Sequence, residues 1–70
     1  MKSKPEALRE LRQRKGHTVR SFAEACDLSR TRVSELEREA LGLLPTTAKR
    51  IADALGVEID DVATISEEVA

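Results

Sequence analysis

Nine residues from Arg30 to Arg38 hold Arg30, Thr31, Arg32, Ser34, Glu35 and Arg38, with Val33 and Leu36 set between them. These polar types at this density suit the edges of nucleic-acid bases and the phosphates that flank them. Arginine presents a fork that fits guanine O6 and N7, and glutamate accepts from cytosine N4. Arginines also clamp phosphates without reading sequence, a role open to Arg20, Arg38 and Arg32. Each has a plainer alternative: Arg20 and Arg32 as solvated surface charge, Glu35 as an i,i+3 partner of Arg32. Other chemistry is poorly supplied. Cys26 and His17 are the single cysteine and single histidine, too few for a tetrahedral zinc site and not placed as a nucleophile with its base. Cys26 falls on an apolar face and reads as a small core residue, and His17 as a solvent-facing turn residue. No phosphate-binding loop is present, and the chain is too short to enclose a cleft. The expectation is a protein that is not an enzyme and needs no metal or cofactor.

The elements that would carry these residues are helical. Seventy residues make one domain, 1–70, and a chain of this size buries only about 60% of the surface its unfolded form exposes. One cysteine gives no internal disulfide, and no signal peptide or membrane-length apolar run is visible, so a reducing cytoplasm is the expected location, with no membrane partner. The net charge of −1 hides an asymmetry: residues 1–38 hold ten Lys/Arg against six acids, a net of +4, and residues 39–70 hold two against seven, a net of −5. One face meeting phosphates would fit that division, as would an ordinary solvated surface. One aromatic residue and no hairpin turn leave almost no strand signal.

Ser3-Lys4-Pro5-Glu6 has the form of a capping box opening a first helix, with Leu8 and Leu11 as its apolar stripe and Lys15-Gly16 as its stop. Thr18 caps a second, with His17 and Phe22 at staple spacing and Phe22, Ala23 and Cys26 buried. Asp27 tolerates the left-handed turn that follows. Ser29 caps a third helix, whose inner face is Val33, Leu36 and Ala40. After a connection at Leu41–Leu44, Pro45 opens a fourth helix with Ala48, Ile51, Ala52 and Leu55 inward, ended by Gly56. A fifth is expected over 59–68. Its stripe of Ile59, Val62, Ile65 and Val69 is either core or the self-complementary surface of a two-fold dimer.

Two short helices around Cys26-Asp27-Leu28-Ser29, with Ala23 small enough for close approach and Leu28 at the corner, have the spacing of a helix-turn-helix over about 18–38. The outer face of the third helix is then free for a major groove. A generic helical hairpin would carry the same apolar positions.

At these residues the chain resembles the phage-repressor type of helix-turn-helix, the Cro/XRE-like family. The resemblance runs through Leu-Arg-Glu-Leu-Arg-Gln-Arg-Lys-Gly at 8–16, Phe22-Ala23, Leu28-Ser29-Arg30, Val33-Ser34-Glu35-Leu36-Glu37-Arg38 and Ile51-Ala52-Asp53-Ala54-Leu55-Gly56-Val57. It implies an all-α, compact five-helix lambda-repressor-like domain with the motif at helices 2 and 3, binding double-stranded operator DNA as a homodimer on a palindrome. It further implies base contacts from Arg30, Thr31 and Glu35, phosphate contacts from Ser29 and Arg38, and a partly buried ion pair of Arg12 with Glu37; beside these, Arg32 is expected at bases and Arg20 and Ser34 at phosphates. Three positions depart from the pattern. Val19 replaces a DNA-contacting glutamine, Asp27 the turn glycine, and Glu39 the glycine after the third helix, so that helix is expected to run on towards Ala40 or Leu41.

The leading expectation is a sequence-specific transcriptional repressor of the phage, host-regulator or antitoxin kind, regulated through a protein partner such as a toxin, an anti-repressor or polymerase. The competing one is a protein-interaction adaptor that keeps the fold without DNA binding, towards which Val19 and the acidic C-terminal third lean.

Overall fold

The computed structural model describes residues 1–65. Among these, five helices account for most of the chain: α1 (Pro5–Arg14), α2 (Val19–Cys26), α3 (Arg30–Arg38), α4 (Pro45–Leu55) and α5 (Ile59–Val62). Strands β1 (Lys2–Ser3) and β2 (Ala63–Thr64) flank them. All five helices contribute to one core. Leu8 of α1, Phe22, Ala23 and Cys26 of α2, and Val33 and Leu36 of α3 meet Ala48, Ile51, Ala52 and Leu55 of α4, closed by Leu43, Val62 and Ala63. The apolar residues of each helix recur three or four positions apart, as Ala48, Ile51, Ala52 and Leu55 do in α4, so a single stripe faces inward.

Prolines open two of the helices. Pro5 and Pro45 stand at the first helical position, where a missing N–H leaves no helical bond unmade. Gly56 closes α4 with a left-handed φ of +70°, a conformation that costs glycine nothing.

The two ends of the described chain meet. Lys2 pairs with Thr64 and Ser3 with Ala63 in an antiparallel ribbon, and Lys2 also bridges Gly42. No strand signal marks these residues, because two-residue strands are too short to show alternation. The ribbon also shortens the fifth helix. The expected helix over 59–68 is a single turn ending at Val62. Lys4 N–H takes the Val62 carbonyl at 2.9 Å, and Ala63 leaves the helix in extended conformation (φ −151°, ψ 154°). Val62 lies wholly in the core while Ile65 is 70% exposed, so the two do not share a helical face. Val69 and the expected helix beyond residue 65 lie outside the described residues.

Ser3 does not cap α1. Lys4 occupies that position without a side-chain bond, and Ser3 is buried at the far end of α3. Its hydroxyl lies 3.2 Å from the carbonyls of both Leu36 and Glu39 and accepts from Leu41 N–H at 3.1 Å. In a continuing helix the Leu36 carbonyl would accept from Ala40 N–H; Ser3 takes that place. Helix α3 therefore stops at Arg38, with Glu39 extended (φ −151°, ψ 160°). Ala40 is exposed instead of lining the inner face.

Replacing Ser3 by alanine strands a buried carbonyl and a buried N–H. The Ser3→Ala variant should lose about 1–3 kcal/mol in urea denaturation; an unchanged midpoint would show that the latch contributes nothing.

Candidate nucleic-acid interface

Helices α2 and α3 are joined by a turn whose backbone bonds are all local. Thr18 Oγ1 accepts from Ser21 N–H and Ser21 Oγ from Thr18 N–H, both at 3.0 Å, closing a reciprocal box in which serine fills the usual glutamate position. At the other end of α2, Asp27 takes the left-handed conformation (φ 62°, ψ 44°). Leu28 N–H then reaches back to the Ala23 carbonyl at 2.9 Å, the bond of a Schellman ending. Ser29 Oγ accepts from Arg32 N–H at 3.0 Å and starts α3. The turn residues were legible because each is local.

Arg50 of α4 secures this turn from behind: it donates to the Cys26 carbonyl at 3.4 Å and sits 3.6 Å from the Asp27 carboxylate. A cation at the C-terminus of α2 is favourable to its dipole. Arg50 was missed in the sequence, since nothing local marks a residue 23 positions away as the partner of Asp27.

The Cys26 thiol is fully buried between these elements. Burial pushes its pKa up from 9.0 to about 11, with Arg50 opposing the shift.

Helix α3 is held at its other flank by charge. Arg12 Nε donates to Glu37 Oε2 at 2.7 Å and Arg12 Nη2 to Glu37 Oε1 at 3.1 Å, while Arg12 Nη1 reaches the His17 carbonyl at 3.0 Å. The side chains are 12% and 8% exposed, so one guanidinium ties α1, the α1–α2 turn and α3 together with little water present. His17 itself is half-buried rather than solvent-facing: its Nδ1 lies 2.9 Å from Ser21 Oγ and its ring packs 5.8 Å from Phe22.

With Val33 and Leu36 inward and Glu37 turned to α1, what remains of α3 is an open arc. At about 100° per residue, Arg30, Ser34, Arg38, Thr31 and Glu35 fall within about 140° of one another. Arg30, Thr31, Ser34 and Arg38 are exposed and Glu35 is half-exposed. Arg32 lies beyond that arc. Its guanidinium donates to the Gly42 carbonyl at 2.8 Å and approaches Glu35 at 3.9 Å, so it reaches a base only by releasing that loop. Ser29 and Arg20 are exposed beside the N-terminus of α3, and Arg20 pairs loosely with Glu24 at 3.7 Å. Val19 is half-buried against the core.

The helix-turn-helix family profile matches residues 8–62, from within α1 to the end of α5, and takes in the whole of the arrangement just described. The chain belongs to the helix-turn-helix family. It is similar to the restriction-modification controller protein C.AhdI of Aeromonas hydrophila, with 30% identity over 81% of this chain and 86% of that one and a TM-score of 0.75. It is similar also to the clp gene regulator ClgR of C. glutamicum, with 36% identity over 81% and 74% of the two chains and a TM-score of 0.68. A hydroxyethylphosphonate dioxygenase shares the fold alone: 22% identity, 97% of this chain but 15% of that one, TM-score 0.79. No curated protein sequence matches the chain. No helix among the described residues is long and apolar enough to cross a membrane.

Two outcomes follow from this packing. Removing Glu37 leaves the Arg12 guanidinium charged and sheltered, so Glu37→Ala should lower stability by about 3–5 kcal/mol in a denaturant titration; a loss under one-third of that would mean the pair is solvated. For Cys26 the folded pKa is raised, so its contribution to stability is complete below the unfolded value and fades as pH rises through the folded one. Stability should therefore fall between about pH 9 and 11 more steeply in the parent than in Cys26→Ala, measured by melting across that range. Parallel curves would rule out a thiol contribution.

Proposed function

We propose that this protein is a sequence-specific double-stranded DNA-binding transcriptional regulator, acting as a repressor that covers a palindromic operator as a homodimer. The observation that carries the reading is the arc of α3. A short helix, pinned on its inner side by Val33 and Leu36 and at its flank by Glu37, presents Arg30, Thr31, Ser34, Glu35 and Arg38 together on its outer side. Such a helix fits in the major groove, with its outer face to the bases and its N-terminal residues nearest them. In this reading Arg30, Thr31 and Glu35 contact bases, Arg32 joins them from the rim, and Ser29, Arg20, Ser34 and Arg38 meet phosphates. The chain's likeness to a restriction-modification controller protein and to a clp gene regulator supports the same role here.

For the dimer, Val62 is in the core and Ile59 is half-buried, whereas Ile65 and Leu44 are 70% and 67% exposed. Ile65 and Leu44 are therefore the better candidates for a shared apolar surface. A two-fold pair would set the reading helices about 34 Å apart, one turn of DNA.

Selection of bound duplexes from a random pool tests the whole proposal, because it reports affinity, half-site symmetry and spacing together. A symmetric site should emerge, and Arg30→Ala should weaken binding to it by about 1–3 kcal/mol while relaxing discrimination at one base pair. If nothing is enriched and affinity stays negligible at low salt, the fold serves as a protein-interaction module instead.

A further inference from the structure

We infer that Arg9 of α1 clamps a backbone phosphate of DNA in the cleft between α1 and α3, extending the footprint beyond the helix-turn-helix; this rests on the DNA-binding reading above. Five of the eight arginines are neutralised. Arg12, Arg14, Arg20, Arg32 and Arg50 each have a carboxylate at ion-pair distance. Among the described residues, Arg9, Arg30 and Arg38 have none. Arg30 and Arg38 sit on the outer arc of α3. Arg9 is on another helix, and nothing in its local sequence marks it out.

Its position does. Arg9 precedes Arg12 by one helical turn, so it shares the α1 face that meets α3. Arg9, Arg12, Ser34, Glu37 and Arg38 line one cleft. Glu37 is the one acid there, and both of its oxygens are taken by Arg12. Neither Arg9 nor Arg38 comes within ion-pair distance of it, and the cleft keeps a net charge of +2. A neighbouring hollow shares Arg9, Arg38 and Glu37 and adds Lys4 and Glu6, whose charges cancel, so the positive excess belongs to the arginines themselves. Ser34 brings a hydroxyl donor from the reading helix itself. Guanidinium groups and a hydroxyl lining one opening, whose one acid is already paired with Arg12, suit a phosphodiester oxyanion. A groove-bound α3 brings the sugar–phosphate strand past Ser34 and Arg38, and so past Arg9.

The test uses a labelled random-sequence duplex and the full chain, with affinity followed across a salt series. Each phosphate contact adds about one to the slope of log affinity against log salt. Arg9→Gln should lower that slope by about one, Arg9→Lys should keep it, and Arg14→Gln, which removes the same charge from an exposed i,i+4 pair on α1, should leave it unchanged. Arg9 is exposed, and an unaltered melting curve for Arg9→Gln establishes that the variant is folded. A parental slope retained by Arg9→Gln, or an equal loss in Arg14→Gln, overturns the inference while leaving the DNA-binding reading in place. Absence of salt-sensitive binding by the parent overturns both. If inorganic phosphate alone shifts the Arg9 resonances while the Arg9→Gln slope stays parental, the cleft takes a free anion and the DNA assignment falls.

Discussion

A nine-residue helix that keeps an arc of about 140° clear for a partner has little left with which to hold itself in place. Helix α3 gives only Val33 and Leu36 to the core. Burial of two aliphatic side chains is worth about 3–6 kcal/mol in all, and apolar contact is not directional, so it leaves rotation about the helix axis poorly fixed. The remaining constraint comes from polar bonds at the flank and ends: Arg12 to Glu37, Ser29 to the first turn, Ser3 to the last. Each is directional, and each joins α3 to a different part of the chain or to its own backbone. The open face of the helix therefore depends on the polar bonds behind it.

That division explains which parts of the fold were legible in the sequence. Thr18, Asp27, Ser29 and Gly56 act on backbone within four residues of themselves, so residue type and spacing define their work, and all four do it in the structure. Ser3 carries the same local signature as Thr18 and is used differently. With Pro5 at the first helical position, Lys4 becomes the cap, and Ser3 is freed to bond α3 across more than thirty positions. The end of α3 and the brevity of α5 were hidden for the same reason. Both are decided where β1 passes between the 41–43 segment and β2, a meeting of distant residues that no periodicity announces. Ile59 and Val62 fit a longer helix as readily as a single turn.

The candidate site divides similarly. The outer arc of α3 follows from helical geometry once Ser29 and the inner pair are placed, so Arg30, Thr31, Ser34 and Arg38 could be read directly. Arg32 could not, because its position depends on the Gly42 carbonyl at the end of another segment. Arg9 and Arg50 were hidden too, being defined by what α1 and α4 bring near α3 and the turn.

The two kinds of charge contact also respond differently to solvent. Exposed arginines on the arc are screened over about 8 Å at physiological ionic strength, so their pull on a partner varies with salt and their mutual repulsion varies in the same way. The Arg12–Glu37 pair, sheltered on both sides, is screened far less and holds its geometry across the same range. With Glu37 held on Arg12, neither Arg9 nor Arg38 has a carboxylate at ion-pair distance among the described residues. Were Glu37 to engage one of them instead, the cleft would keep its net charge of +2, but Arg12 would lose its partner and α3 its anchor to α1. The same two hydrogen bonds thus fix the reading helix and leave the exposed Arg9 and Arg38, rather than the sheltered Arg12, as the unpaired cations beside it, which is the condition an incoming phosphate requires.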